Sequence, residues 1–257
     1  MAEQKIFLSL AHIQAACFFA KSTYDLEKEY TGKDLNDEII QKHSAYSIGS
    51  IITAVSYLEA TINELFFDVA NRSKEVKVEH LPNGTPDRMK DMWEDIEKSS
   101  MLDKYEMALI LAEKQFDKGK EPYQSVQYLI KLRNELVHYH QKLREIKEAN
   151  EDPTNNNKKT WEDKLEKFLD KDKKIKLNPL TGSSNPFFPD KCLGYGCAFW
   201  AIQSSVDFTK DFFQTMGLNF HNAPEGREPY FMKAVEKLLK VNSETKTKGN
   251  KNEPEFE

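Results

Sequence analysis

The stretch Tyr46 to Phe66, YSIGSIITAVSYLEATINELF, decides the fold. Ile48, Ile51, Ile52, Val55, Leu58, Ile62, Leu65 and Phe66 recur at spacings of three and four. That period puts them on one face of an amphipathic helix. Ser47, Gly49, Ser50, Ala54 and Ala60 are small enough to admit a close neighbour. The helix is expected from Leu35 or His43 to Ala70. Glu59 and Asn63, four apart, share a face one turn along.

Outward from this helix the chain keeps reading as helix. Upstream, a first helix is expected from Glu3 to Tyr30, with Gly32 as its stop. Downstream, HLPNGTPD (80–87) breaks the pattern with two prolines and a glycine. A third helix is expected from Pro86, Asp87 or Arg88, with a kink or loop near Ser99 and Ser100. DKGKEPYQ (117–124) breaks again. A fourth helix is expected from Tyr123 to Lys147, and a fifth from Cys192 to Met216, closed by Gly217. Phe199, Ile202, Val206, Phe208, Phe212 and Phe213 supply the apolar surface of the fifth.

Between the last two helices lies an insert at about 148–190. NEDPTNNNKKT (150–160) is polar, and NPLTGSSNPFFPDK (178–191) is a proline-, glycine- and serine-rich loop. WEDKLEKFLDKDKK (161–174) forms a short amphipathic helix, with Trp161, Leu165, Phe168 and Leu169 on one side. A short C-terminal extension (217–241), helical from Pro229 to Val241, precedes a polar, disordered tail (242–257). The expectation is an all-α fold: an antiparallel bundle of four to five long helices, residues 1–216, with a loop-rich insert before the last long helix.

Composition narrows the classes. The chain has 257 residues, 31% charged, with a net charge of -5. A mildly acidic total excludes a globally basic nucleic-acid coat protein but not a local basic patch. Cys17, Cys192 and Cys197 are too few for a disulfide scaffold and fit a reducing cytoplasm. The apolar run from Ile6 to Ala20 has a weak basic segment before it and holds His12 and Gln14, so no signal peptide is expected. No run of about 18 uncharged apolar residues occurs, so no membrane partner is expected.

Few residues offer chemistry. Cys192 and Cys197, five apart, have a poor spacing for zinc, and His221 is distant, so no metal is expected. Gly194 and Gly196 lack the strand and lysine of a nucleotide loop. His12 and His43 are expected at the surface or its boundary. LRNELVHYH (132–140) stands apart. Arg133 carries a permanent charge and a fixed fork of donors that suits phosphate. His138 exchanges protons near neutral pH. On an ideal helix Arg133 and His138 are about 140° apart, Asn134 and His138 about 40°, and Arg133 and His140 nearly aligned. Periodicity therefore leaves His140 in play. Ordinary structural roles remain open at this point: Arg133 paired with Glu59 or another carboxylate, His138 in a buried polar network.

Arg133, Asn134 and His138, in this order and spacing on a late helix, resemble the signature of the HEPN superfamily: arginine, a polar residue directly after it, four to six residues, then histidine. YSIGSIITAVSYLEATINELF resembles the early helix of prokaryotic members, and CLGYGCAFWAIQSSVDFTKDF (192–212) their closing helix. The resemblance covers most of residues 5–216; the long insert departs from a minimal bundle of this family. The resemblance implies a metal-independent endoribonuclease, with no cofactor, that cleaves RNA by 2′-hydroxyl attack and leaves a 2′,3′-cyclic phosphate and a 5′-hydroxyl. Arg133 would hold the scissile phosphate, His138 act as general base or acid, and Asn134 orient one of them. A homodimer with a composite site is implied, as is a toxin or defence role restrained by an antitoxin or other partner protein. Some relatives keep the bundle and lose catalysis, binding a partner or nucleotide only. Bundle packing adds Glu59 as a residue that orients His138 or Arg133. Lys131, Lys142 and Arg144 supply positive charge for RNA.

Overall fold

The computed structural model describes residues 6–72, 78–139, 160–182 and 184–218. They form helices α1 (Leu8–Tyr30), α2 (Asp37–Ala70), α3 (Thr85–Asp91), α4 (Trp93–Ile96), α5 (Met101–Leu111), α6 (Tyr123–Val137), α7 (Trp161–Lys171) and α8 (Tyr195–Met216). Phe187–Lys191 forms a wide turn before α8. No strand occurs among the described residues. The chain is all-α, as its hydrophobic periods require.

α2 is the central element; α1, α3, α5, α6 and α8 all pack on it. It begins where Asn36 accepts a hydrogen bond from the Ile39 amide at 2.9 Å, with Asp37 and Glu38 in the first turn. Those residues satisfy orphan amides and match the helix dipole. α1 and α2 run antiparallel. Ser9 bonds Glu64 at one end, Ser50 donates to the Ala16 carbonyl at 3.0 Å midway, and His43 meets Glu27 at the other end. α8 instead advances in step with α2: Ser205 donates to the Ala54 carbonyl at 3.2 Å, and Thr209 meets the Tyr57 hydroxyl one turn on.

The apolar stripe read from the sequence lies inward. Ile51, Val55, Leu58, Ile62, Leu65 and Phe66 are buried, and Ile48 is half-buried. Tyr105 from α5 fills the space between α2 and α8. Its hydroxyl donates to the Leu58 carbonyl at 2.8 Å, and its ring meets Phe208 and Phe212 edge-on, with centroids 4.9 and 4.7 Å away. Such pairs add about 1 kcal/mol each to the burial of their surface.

Some boundaries differ from the sequence reading. The first helix begins at Leu8 rather than Glu3, with Phe7 extended before it. The third helix breaks near Ser99 and Ser100 as expected, where Ser100 caps α5 by accepting from the Asp103 amide at 3.3 Å, but it breaks again at Met92, between α3 and α4. The last helix starts at Tyr195 rather than Cys192, after Gly194. The fourth helix ends at Val137, not Lys147. Val137, His138 and Tyr139 are all exposed. Burial therefore adds nothing to hold another turn of these weak helix formers. The described part of the insert packs into the core. Thr160 and Asp163 cap α7 reciprocally, and Leu165 and Leu169 are fully buried. Phe168 stacks on Tyr128 of α6 with centroids 4.2 Å apart. The extension from residue 219, the 229–241 helix and the tail lie outside the described residues.

Candidate functional site

α6 presents two faces. Val126, Leu129 and Leu132 are fully buried against the bundle, and α6 packs on α2 and α8. Gln127, Lys131 and Asn134 face solvent. Arg133 follows Leu132 and so lies on the border between the two. It is half-buried, and its Nε is shut off from solvent with no hydrogen-bond partner. A buried unsatisfied donor costs about 1–3 kcal/mol. Among the described residues no carboxylate forms an ion pair with Arg133.

His138 is not a helical residue. Its dihedrals are φ −111° and ψ 41°, and its amide donates to the Asn134 carbonyl at 2.8 Å, closing the last turn. The helical angle between Arg133 and His138 therefore does not apply. The imidazole is carried on the residue where the chain leaves the helix, exposed to solvent. Val137 and Tyr139 on either side are 48% and 52% exposed. The end of α6 is thus a surface where an imidazole, an apolar residue and an aromatic ring stand together, about one turn beyond an incompletely bonded guanidinium. The structure places Arg133, Asn134, His138 and Lys131 on this segment. His140, Lys142 and Arg144 lie outside the described residues.

Glu59 has another partner. Its carboxylate lies 3.9 Å from Lys104 Nζ of α5, and Lys104, itself buried, donates to Asn63 Oδ1 at 3.0 Å. No hydrogen bond joins Glu59 to Arg133 or His138 among the described residues.

Sequence reasoning missed a second polar cluster. His43, expected at the surface or its boundary, is 4% exposed. Its Nε2 lies 2.9 Å from Glu27 Oε1, and the Tyr195 amide donates to that same oxygen at 2.7 Å. Glu27 is 9% exposed. One carboxylate thus joins α1, α2 and the first amide of α8, where the helix dipole favours negative charge. The approach requires glycine at 194: a Cβ there would sit 2.7 Å from Glu27 Oε1. Only the Asn36 cap, which fixes where α2 starts, offered a sequence signal that His43 lies two turns inside a helix.

The fold and this segment define a helical protein with a half-buried arginine near the end of a mid-chain helix and an exposed histidine just past it. No protein-family model, no curated protein and no solved structure matches the chain. No described helix is long and apolar enough to cross a membrane.

Proposed function

We propose that the chain is a HEPN-type, metal-independent endoribonuclease. Arg133 holds the scissile phosphate and stabilises the charge that develops on it. His138 takes the proton of the ribose 2′-hydroxyl, or returns one to the leaving oxygen. The products are a 2′,3′-cyclic phosphate and a 5′-hydroxyl. Asn134, on the solvent face one turn before His138, orients the phosphate, and Lys131 adds charge beside it.

The observation that carries the reading is Arg133: its Nε is buried without a partner, and among the described residues no carboxylate forms an ion pair with its side chain. An arginine with a merely structural role is normally bonded to a carboxylate or carbonyl. The exposure of His138 supports the reading further, because a proton-transfer group must reach its substrate. Two copies of the chain would bring their arginine and histidine together in a composite site, within a cytoplasmic toxin or antiviral defence effector held silent by a partner protein.

The test is cleavage of generic single-stranded RNA in EDTA by the parent, Arg133→Ala and His138→Ala. Activity is expected to survive chelation and to vanish in both variants. Full cleavage by either variant removes that residue from the chemistry. A parent that binds RNA or nucleotide but cuts nothing moves the chain to the catalytically silent branch.

A further inference from the structure

Independent of the ribonuclease reading, the turn before α8 brings two thiols into contact. Cys192 and Cys197 are both fully buried, with Sγ atoms 3.6 Å apart and the Cys192 thiol donating to Cys197. Cys17, also buried, makes no such contact, and burial pushes its thiol up to about 12. The thiol pair is held by its surroundings. Asn178 clamps the turn, its side-chain amide donating to the Asp190 and Leu193 carbonyls at 3.1 Å each and its backbone amide to Lys191 at 2.9 Å. Gly196, between the cysteines, admits the Lys176 backbone so closely that a Cβ would lie 2.1 Å from its carbonyl oxygen. The two sulfurs therefore stay together while the fold lasts. Among the described residues no group of three His, Cys, Asp or Glu side chains gathers to hold a metal ion here.

We propose that Cys192 and Cys197 form a reversible dithiol–disulfide site, oxidised by a small-molecule disulfide that gains access when the turn before α8 opens. The Cys197 sulfur bonds to one sulfur of the oxidant, and its proton leaves with the first displaced thiol. The Cys192 sulfur then attacks Cys197, the mixed disulfide breaks, and the second small thiol departs with the Cys192 proton. The protein loses two electrons and two protons, and the oxidant gains both. A sulfur contact of 3.6 Å needs a closure of about 1.5 Å to reach bonding distance. The hydrogen bond to Cys197, then burial, pushes the Cys192 thiol well up. It stays protonated in the closed fold, so reaction waits on local opening.

The sequence supplies its own assay. Trypsin cuts after Lys191 and Lys210, leaving one peptide that contains both cysteines. The full native chain is incubated with glutathione disulfide, denatured, alkylated and digested. The peptide is expected to lose two hydrogens and take up no alkyl group, and to recover both thiols after dithiothreitol. Cys192→Ser is expected to trap glutathione on Cys197. Two alkylated cysteines, a stable glutathione adduct in the parent, or a bond from either cysteine to Cys17 overturns the proposal.

Discussion

Two histidines mark two regions built on opposite terms. His43 is buried, its Nε2 on a carboxylate that also receives the first amide of α8. His138 is exposed, and its own backbone closes the turn that carries it. At the first, the His43 imidazole, the Glu27 carboxylate and the Tyr195 amide are bonded together, although the Tyr195 hydroxyl is buried without a partner. At the second, the guanidinium nearby has an unbonded Nε and the imidazole faces water. Buried polar groups that are satisfied internally add to stability, and those left open cost stability. The Glu27 region ties three helices together, whereas the end of α6 leaves its imidazole to solvent, as the proposed function requires.

The sharpest break of that contrast is in activity. Arg133→Ala and His138→Ala are each expected to lower RNA cleavage by about a thousandfold, in the range of a lost electrostatic stabiliser or proton-transfer group. Urea unfolding should move by no more than about 0.5 kcal/mol for exposed His138. A large loss of stability in His138→Ala would put the histidine with His43, as a structural residue.

Glu27→Ala inverts the pattern. Removing one partner of a buried charged contact typically costs about 3–5 kcal/mol, and urea unfolding should show a loss near that range. Glu27→Gln keeps an acceptor for the Tyr195 amide and is expected to lose less. Equal stability of parent and Glu27→Ala would show that the carboxylate does not tie the three helices. Gly196→Ala comes next, at about 1–3 kcal/mol, because the added Cβ meets Lys176 backbone, which has little room to move. Its melting temperature should fall without change in the cleavage products.

How much of this was legible in the sequence differs between the regions. The inward face of α2 was readable because Ile51 to Phe66 keeps one helical period, and periodicity reports burial directly. The α7 face was readable for the same reason through Leu165 and Leu169. The docking of α7 on α6 was not, because Phe168 on Tyr128 is a contact between segments that local pattern does not encode. His43 was misplaced because its partner lies on another helix, and the register of α1 against α2 decides the pairing. His138 was found as a residue, but its position was misread: the helical pattern was carried on past Val137, whereas His138 and Tyr139 are weak helix formers exposed to solvent, with no burial to hold them in the helix. Arg133 was legible as a candidate by its type and spacing, whereas its unbonded Nε depends on tertiary packing that local pattern does not encode.

The smallest expected effect sharpens the exposed side alone. Lys131 faces solvent one turn before His138's own turn, so its charge is free to meet a phosphate and contributes nothing to the core. On single-stranded RNA each phosphate contact contributes about 0.7 to the slope of log affinity against log salt. Lys131→Ala should make that slope shallower by about this amount, read by fluorescence anisotropy across several salt concentrations, and change low-salt affinity by no more than a modest factor. Because Lys131 makes no base contact in this reading, the loss should be the same for RNAs of different sequence. An unchanged slope would confine RNA to Arg133 and the far side of α6. A loss that depends on sequence would instead make Lys131 a base-reading residue.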